Sequence, residues 1–334
     1  MDKAFRLEIR VHVVEMLNRI VSGGTGDLKE FFNGYWDGVV VQTAEENPDG
    51  RVVTGREFYP VATRCAVEDR VSYIAANFGA IDRALLLLDL PVRPDTDGPV
   101  VWNVMRMGYH EFEVLDYPQS RLVNEYRSVL ARFGLEKGWN LMHEALRKMV
   151  VALRKQKRRQ GREWAMQMLF QLDMNPGLSV DEAIDLFWRQ QWSFVHAERN
   201  EQPSDSQEVM SALEAEYSNY NPDNVAARQW REFAEARVRG VCGHLDEIDG
   251  AIVSFAKAWP MHRLGTIERN VLRLAYYEMR YQADDIPAAV VINEAVDLVK
   301  YFSDSEAGRF TNGILDEMRR HLESGPETAV REEQ

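Results

Sequence analysis

The chain repeats itself, and the repeat limits what it can fold into more than any other feature. Residues 102–112, WNVMRMGYHEF, align with residues 269–279, RNVLRLAYYEM. Asn103, Val104, Arg106, Tyr109 and Glu111 recur as Asn270, Val271, Arg273, Tyr276 and Glu278. Further on, Pro118 followed by Asn124-Glu125 recurs as Pro287 followed by Asn293-Glu294. Near the start, Arg6, Arg10, Met16, Leu17 and Trp36 recur at one constant offset as Arg158, Arg162, Met168, Leu169 and Trp188. Three matched blocks in the same order predict two copies of one domain. The expected boundaries are 1–150 for a diverged first copy, 151–324 for the second, and a frayed Gly, Pro and Glu-rich tail over 325–334.

The repeated unit reads as all-helical. Ala165, Met168, Leu169 and Leu172 recur at helical spacing, as do Val291, Ala295, Leu298 and Val299. Pro287 sits where a helix starts, its missing N–H costing nothing there. The first copy carries an insert, GVVVQTAEENPDGRVV, whose β-branched runs flank Asn47-Pro48-Asp49-Gly50 and predict a small β-hairpin. The second copy has instead the polar stretch RNEQPSDSQEV, which reads as a loop. Between Asn140 and Leu172 there is no proline, and Gly161 is the one strong breaker. The last helix of copy one is therefore expected to run almost directly into the first helix of copy two, with a kink or boundary at Gly161.

With 334 residues and 45% hydrophobic content the chain can build ordinary cores. Cys65 and Cys242 are its two cysteines, too few for a disulfide framework. The N-terminal MDKAFRLEIRVH has no apolar run, and no stretch is long enough to span a bilayer. A cytoplasmic protein with no membrane association is the expectation.

A net charge of −13 excludes a uniformly basic surface, but positive charge is concentrated in one block. From Arg147 to Glu163 the charged residues are Arg147, Lys148, Arg154, Lys155, Lys157, Arg158, Arg159 and Arg162, with Glu163 the single acid. On a helix, Arg154, Arg158 and Arg162 share a stripe flanked by Lys155 and Arg159. Cations stacked four apart repel one another, and near a helix N-terminus they oppose the dipole. An anionic partner relieves both effects, and arginine forks suit phosphates. A solvated, charged linker is the other reading of the block alone.

The second half resembles the NusB family of transcription antitermination factors. RRQGREWAMQMLFQLD, residues 158–173, is similar to the family's arginine-rich opening helix. Residues 267–318 carry its most recognisable phrases: Ile267-Glu268-Arg269, Leu272-Arg273, Tyr277-Glu278, Asp285-Ile286-Pro287, Ile292-Asn293-Glu294-Ala295 and Phe310-Thr311-Asn312-Gly313-Ile314-Leu315-Asp316. The resemblance implies a compact all-α fold of two small helical bundles. It implies binding of boxA-type single-stranded RNA of ribosomal RNA transcripts, together with the ribosomal small-subunit protein NusE, in the antitermination complex of RNA polymerase. Carried over residue by residue, RNA contact falls to Lys155, Lys157, Arg158, Arg159 and Arg162, and in a second region to Phe302, Glu306, Arg309 and Phe310. The NusE face falls to Tyr277 and Glu278. The first copy lacks the arginine cluster, offering only Lys3, Arg6 and Arg10 around Glu8, and is expected to have lost RNA affinity.

Nothing in the sequence points to an enzyme. Ser22-Gly23-Gly24-Thr25-Gly26 follows a helix, not a strand, and reads as a C-cap and loop. The seven histidines show no paired ligand spacing, so no metal or cofactor is expected. The competing class is a protein–protein adaptor that keeps the helical fold without RNA.

Overall fold

The computed structural model describes residues 3–23, 26–42, 51–115, 119–197, 225–256, 264–303 and 305–324. Gly24-Thr25, the turn 47–50, Pro118, the polar stretch 199–209 and the tail lie outside these residues. The described residues are helical nearly throughout, and the chain divides into two compact units, one essentially Met1–Lys155 and the other from Gln156 onward.

The first unit contains α1 (Lys3–Gly23), α2 (Leu28–Gly38), α3 (Gly55–Phe58), α4 (Val61–Ala76), α5 (Phe78–Leu87), α6 (Pro94–Glu113) and α7 (Gln119–Arg132). Asp27 caps α2, its carboxylate accepting from the Lys29 and Glu30 N–H groups. The insert forms a two-stranded antiparallel hairpin, β1 (Val40–Gln42) with β2 (Val53–Thr54). Within α6, Gly98 adopts φ 82, a left-handed conformation that a side chain would strain, and Pro99 follows it. The helix proper therefore starts afresh at Pro99. Helix α1 packs on α4, α6 and α7, burying Val13, Val14, Met16 and Leu17 among Trp36, Val71, Trp102, Met105 and Tyr126. Each such apolar side chain, fully withdrawn from water, stabilises the unit by roughly 1.5–3 kcal/mol.

Helix α8 (Trp139–Met174) is continuous across the division between the units. The helix does not break at Gly161, the boundary expected from the sequence. The second unit continues with α9 (Val180–Ala197), α10 (Val225–Gly243), α11 (Leu245–Phe255), α12 (Thr266–Tyr281), α13 (Ala288–Phe302) and α14 (Ser305–Ser324). Helices α12, α13 and α14 pack on one another, and their apolar faces join Met168, Leu169 and Phe187 in a second core.

Polar side chains cross each core at positions that the alignment of the two halves of the sequence pairs. Arg10 donates to Glu111 at 2.8 Å, and Arg162 donates to Glu278 at 2.8 Å. Arg106 bonds Asp82 at 2.7 Å and Asn103 at 2.7 Å, as Arg273 bonds Asp249 at 2.7 Å and Asn270 at 3.0 Å. The Trp36 indole N–H donates to Glu68 at 2.7 Å, and that of Trp188 to Glu235 at 2.8 Å. Buried ion pairs persist because removing either partner strands the other charge in a low dielectric.

One buried group gives the first unit a distinctive pH dependence. Burial, assisted by the charge of Arg70, pushes the His110 imidazole down to about 4. The unfolded chain takes up that proton near 6.5, whereas the folded chain resists it until about 4. The stabilisation is thus complete above pH 6.5 and declines as pH falls, by roughly 3 kcal/mol in all. Glu125 contributes nothing to the upper part of this window. Its carboxyl suffers from burial, but hydrogen bonds from Arg6 and Arg10 hold it at about 2. Amide exchange in α6 should therefore accelerate between pH 6.5 and 4.5 beyond its intrinsic pH dependence, and His110→Gln should abolish the excess. Equal excess in the variant would contradict this.

Candidate nucleic-acid interface

Helix α8 presents the basic block and then buries its own axis. Arg154 and Lys155 are exposed, while Lys157, Arg158 and Arg159 are half-buried. Arg159 forms an i,i+4 pair with Glu163 at 3.1 Å, and its side chain stays 39% exposed. Such exposed pairs contribute only a few tenths of a kcal/mol, so a phosphate can displace the glutamate. From Gly161 onward the helix enters the core through Ala165, Met168 and Leu169.

Arg162 is therefore not a surface residue, and neither is Glu278. The Arg162 side chain is 4% exposed and that of Glu278 1%. Helical phase is the cause: Arg162 lies three and seven residues before Ala165 and Leu169, on the face that packs. A buried arginine requires a counter-charge, and Glu278 on α12 supplies it. Arg237 on α10 donates to the same carboxylate at 2.5 Å. One acid thus serves two buried guanidiniums. Burial lowers the Arg237 pKa, against the pull of Glu278 and with the repulsion of Arg162.

The Arg237 guanidinium lies 3.2 Å from the centroid of the Phe233 ring. The same ring meets Gly161, where an added Cβ would fall 2.6 Å from Phe233 Cδ1. The glycine expected to break α8 instead admits an aromatic ring against its backbone. Tyr277 is half-buried and lies over Gly240, where an added Cβ would come within 2.1 Å of the ring. It neighbours Tyr281 at 5.4 Å, and Tyr281 stacks on His244 at 4.3 Å.

The second expected region flanks Asp304, itself outside the described residues. Phe302 and Phe310 are half-buried against the core, whereas Glu306 and Arg309 are exposed at the start of α14. Tyr301, 67% exposed, meets the edge of Phe302 with centroids 4.8 Å apart. Lys300 lays its aliphatic stem on Gly308. Cations and an exposed aromatic here suit an unpaired nucleotide.

Three residues absent from the sequence-derived set organise the site. Phe233 and Arg237 lie on α10 beyond the polar stretch, but Arg237 has a counterpart in Arg70: each donates to the carbonyl four residues back, Phe233 and Ala66. Asp173, at the end of the opening stripe, accepts from Arg269 at 2.8 Å, Asn270 at 3.0 Å and Arg273 at 2.9 Å. Burial works against its carboxylate, yet these arginine hydrogen bonds lower its pKa.

In the first unit Arg6, Arg10 and Arg132 are engaged with carboxylates. Arg6 forks onto Glu125 at 3.0 and 2.5 Å, and Arg10 reaches both Glu111 and Glu125. Arg132 pairs with Glu8. Among the described residues there is no cluster that would hold a metal ion and no helix long and apolar enough to cross a membrane.

A family model described as the NusB family matches residues 195–320. A transcription antitermination protein NusB from Myxococcus xanthus is 38% identical over 159 residues, which span 48% of this chain and 91% of that protein. The corresponding protein from Bdellovibrio bacteriovorus is 32% identical over 161 residues, spanning 48% of this chain and 93% of its own length. Among solved structures, a T. maritima NusB shows 26% identity and a TM-score of 0.34, covering 49% of this chain and 91% of that one. A structure described as antitermination factors NusB and NusE in complex with dsRNA shows 25% identity and a TM-score of 0.33, covering 50% and 97%.

Proposed function

Because the chain belongs to the NusB family, we propose that it is an RNA-binding transcription antitermination factor whose second unit takes boxA-type single-stranded RNA of ribosomal RNA operons together with NusE, within the antitermination complex of RNA polymerase. The observation that carries this reading is the outward basic face of α8, with Arg154 and Lys155 exposed and Lys157, Arg158 and Arg159 partly so. Arg309 and the Phe302–Phe310 region supply the second contact. Arg162 and Glu278 leave the proposed contact set, because both are buried. Tyr277 remains in the proposed NusE face.

The first unit is proposed to be a diverged copy acting as a scaffold without RNA affinity. The recurrence of Arg10–Glu111 as Arg162–Glu278 and of Arg106–Asp82 as Arg273–Asp249 supports the shared ancestry. The first copy offers only Lys3, Arg6 and Arg10 around Glu8 where the second has its arginine cluster, and this sparser charge supports the loss.

The test combines the whole chain, NusE and a boxA-type RNA at low salt on a native gel. Co-migration of all three, with NusE raising the affinity for RNA, is the expected result. A complex of the chain with NusE that excludes the RNA would replace this reading with the adaptor.

A further inference from the structure

We infer that Gly161, Phe233 and Arg237 are positioning residues for RNA: with Glu278 they fix the rotation of α8 about its axis, so that Arg158 and Arg159 are held at the surface. This rests on the RNA-binding reading of α8. The geometry is a chain of contacts. The α8 backbone at Gly161 meets the Phe233 ring, the ring meets the Arg237 guanidinium, and that guanidinium bonds Glu278. Glu278 then returns to α8 through Arg162, the very next residue after Gly161. The helix is gripped twice at one level, once by apolar contact and once by an ion pair. Residues 158 and 159 lie less than one turn away, so a small rotation at Gly161 turns their side chains by the same angle.

The first unit supplies an internal control. Where the second has Gly161 against Phe233, the first has Ile9 and Ala66 at the matching positions. Large and small have exchanged places, and the arginine that follows still reaches its glutamate, Arg10 to Glu111. The pair of positions is therefore coupled: a side chain at 161 needs a small residue at 233.

Gly161→Ala, Phe233→Ala and the double variant, each in the full-length chain, test this. In Gly161→Ala the new methyl falls 2.6 Å from Phe233 Cδ1, on a ring that the Arg237 guanidinium also contacts, so either the ring or α8 must shift. Affinity for a boxA-type RNA should fall about tenfold with a shallower salt dependence, the signature of lost phosphate contacts. Amide exchange over residues 153–162 should rise. The double variant should recover affinity, salt slope and exchange protection together, which a merely destabilising glycine substitution would not do. Wild-type affinity and exchange in Gly161→Ala, or a folded double variant that recovers neither, overturns the inference. A wild-type chain that binds no RNA overturns the proposed function alone. The exchange measurement then still decides the positioning: rising in Gly161→Ala and restored in the double variant sustains it, and unchanged exchange refutes it.

Discussion

Glu278→Gln should lower the stability of the second unit by roughly 3–5 kcal/mol, the cost of stranding buried charge. Glutamine keeps the shape of the side chain but removes the negative charge and replaces one accepting oxygen by an NH2 donor. What remains is Arg162 and Arg237, with side chains 4% and 7% exposed, facing each other without a counter-ion. The matching substitution in the first unit provides the scale. Arg10 contacts two acids, Glu111 and Glu125, so Glu111→Gln leaves it a carboxylate at 2.5 Å. That change should cost about 1–2 kcal/mol, closer to the loss of one charged hydrogen bond. With a urea dependence of about 2 kcal/mol per molar, the second unit's midpoint should move by about 2 M and the first unit's by less than half as much. Equal shifts would show that the Arg–Glu–Arg arrangement carries no special strain.

Arg158→Ala with Arg159→Ala should remove most of the measurable RNA affinity in a chain that still folds. Arg159 gives up only an exposed pair with Glu163. Each phosphate contact to a single strand contributes about 0.7 to the slope of log K against log salt, or about fivefold in affinity at 0.1 M relative to 1 M. Two contacts predict a loss of about 25-fold and a slope shallower by about 1.4. Unchanged affinity with a folded protein would move the RNA site away from α8.

The helices and the hairpin were legible because they depend on local signals: apolar spacing, a proline at the start of α13, β-branched runs either side of the insert. The alignment of the two halves also pairs Arg10 with Arg162 and Glu111 with Glu278. What the sequence did not disclose was how far along α8 its shared basic and apolar face is covered by other helices. Arg158, Arg162, Ala165 and Leu169 fall in one helical phase, so wherever α8 is covered by other helices the arginine in that stripe must be buried. Its counter-charge lies more than a hundred residues away, beyond the reach of local pattern. Gly161 misled for a related reason. Its propensity signals a break, but tertiary packing of the Phe233 ring determines its role.

The central claim is that the outward cations of α8 bind RNA phosphates. Its most direct test is the affinity of the full-length chain for a boxA-type RNA across about 50 to 200 mM salt, with and without NusE. Contacts from Lys155, Arg158 and Arg159 predict a straight log–log plot with a slope of about −2 or steeper. Absence of binding at the lowest salt even with NusE present, or binding with a slope near zero, would contradict it.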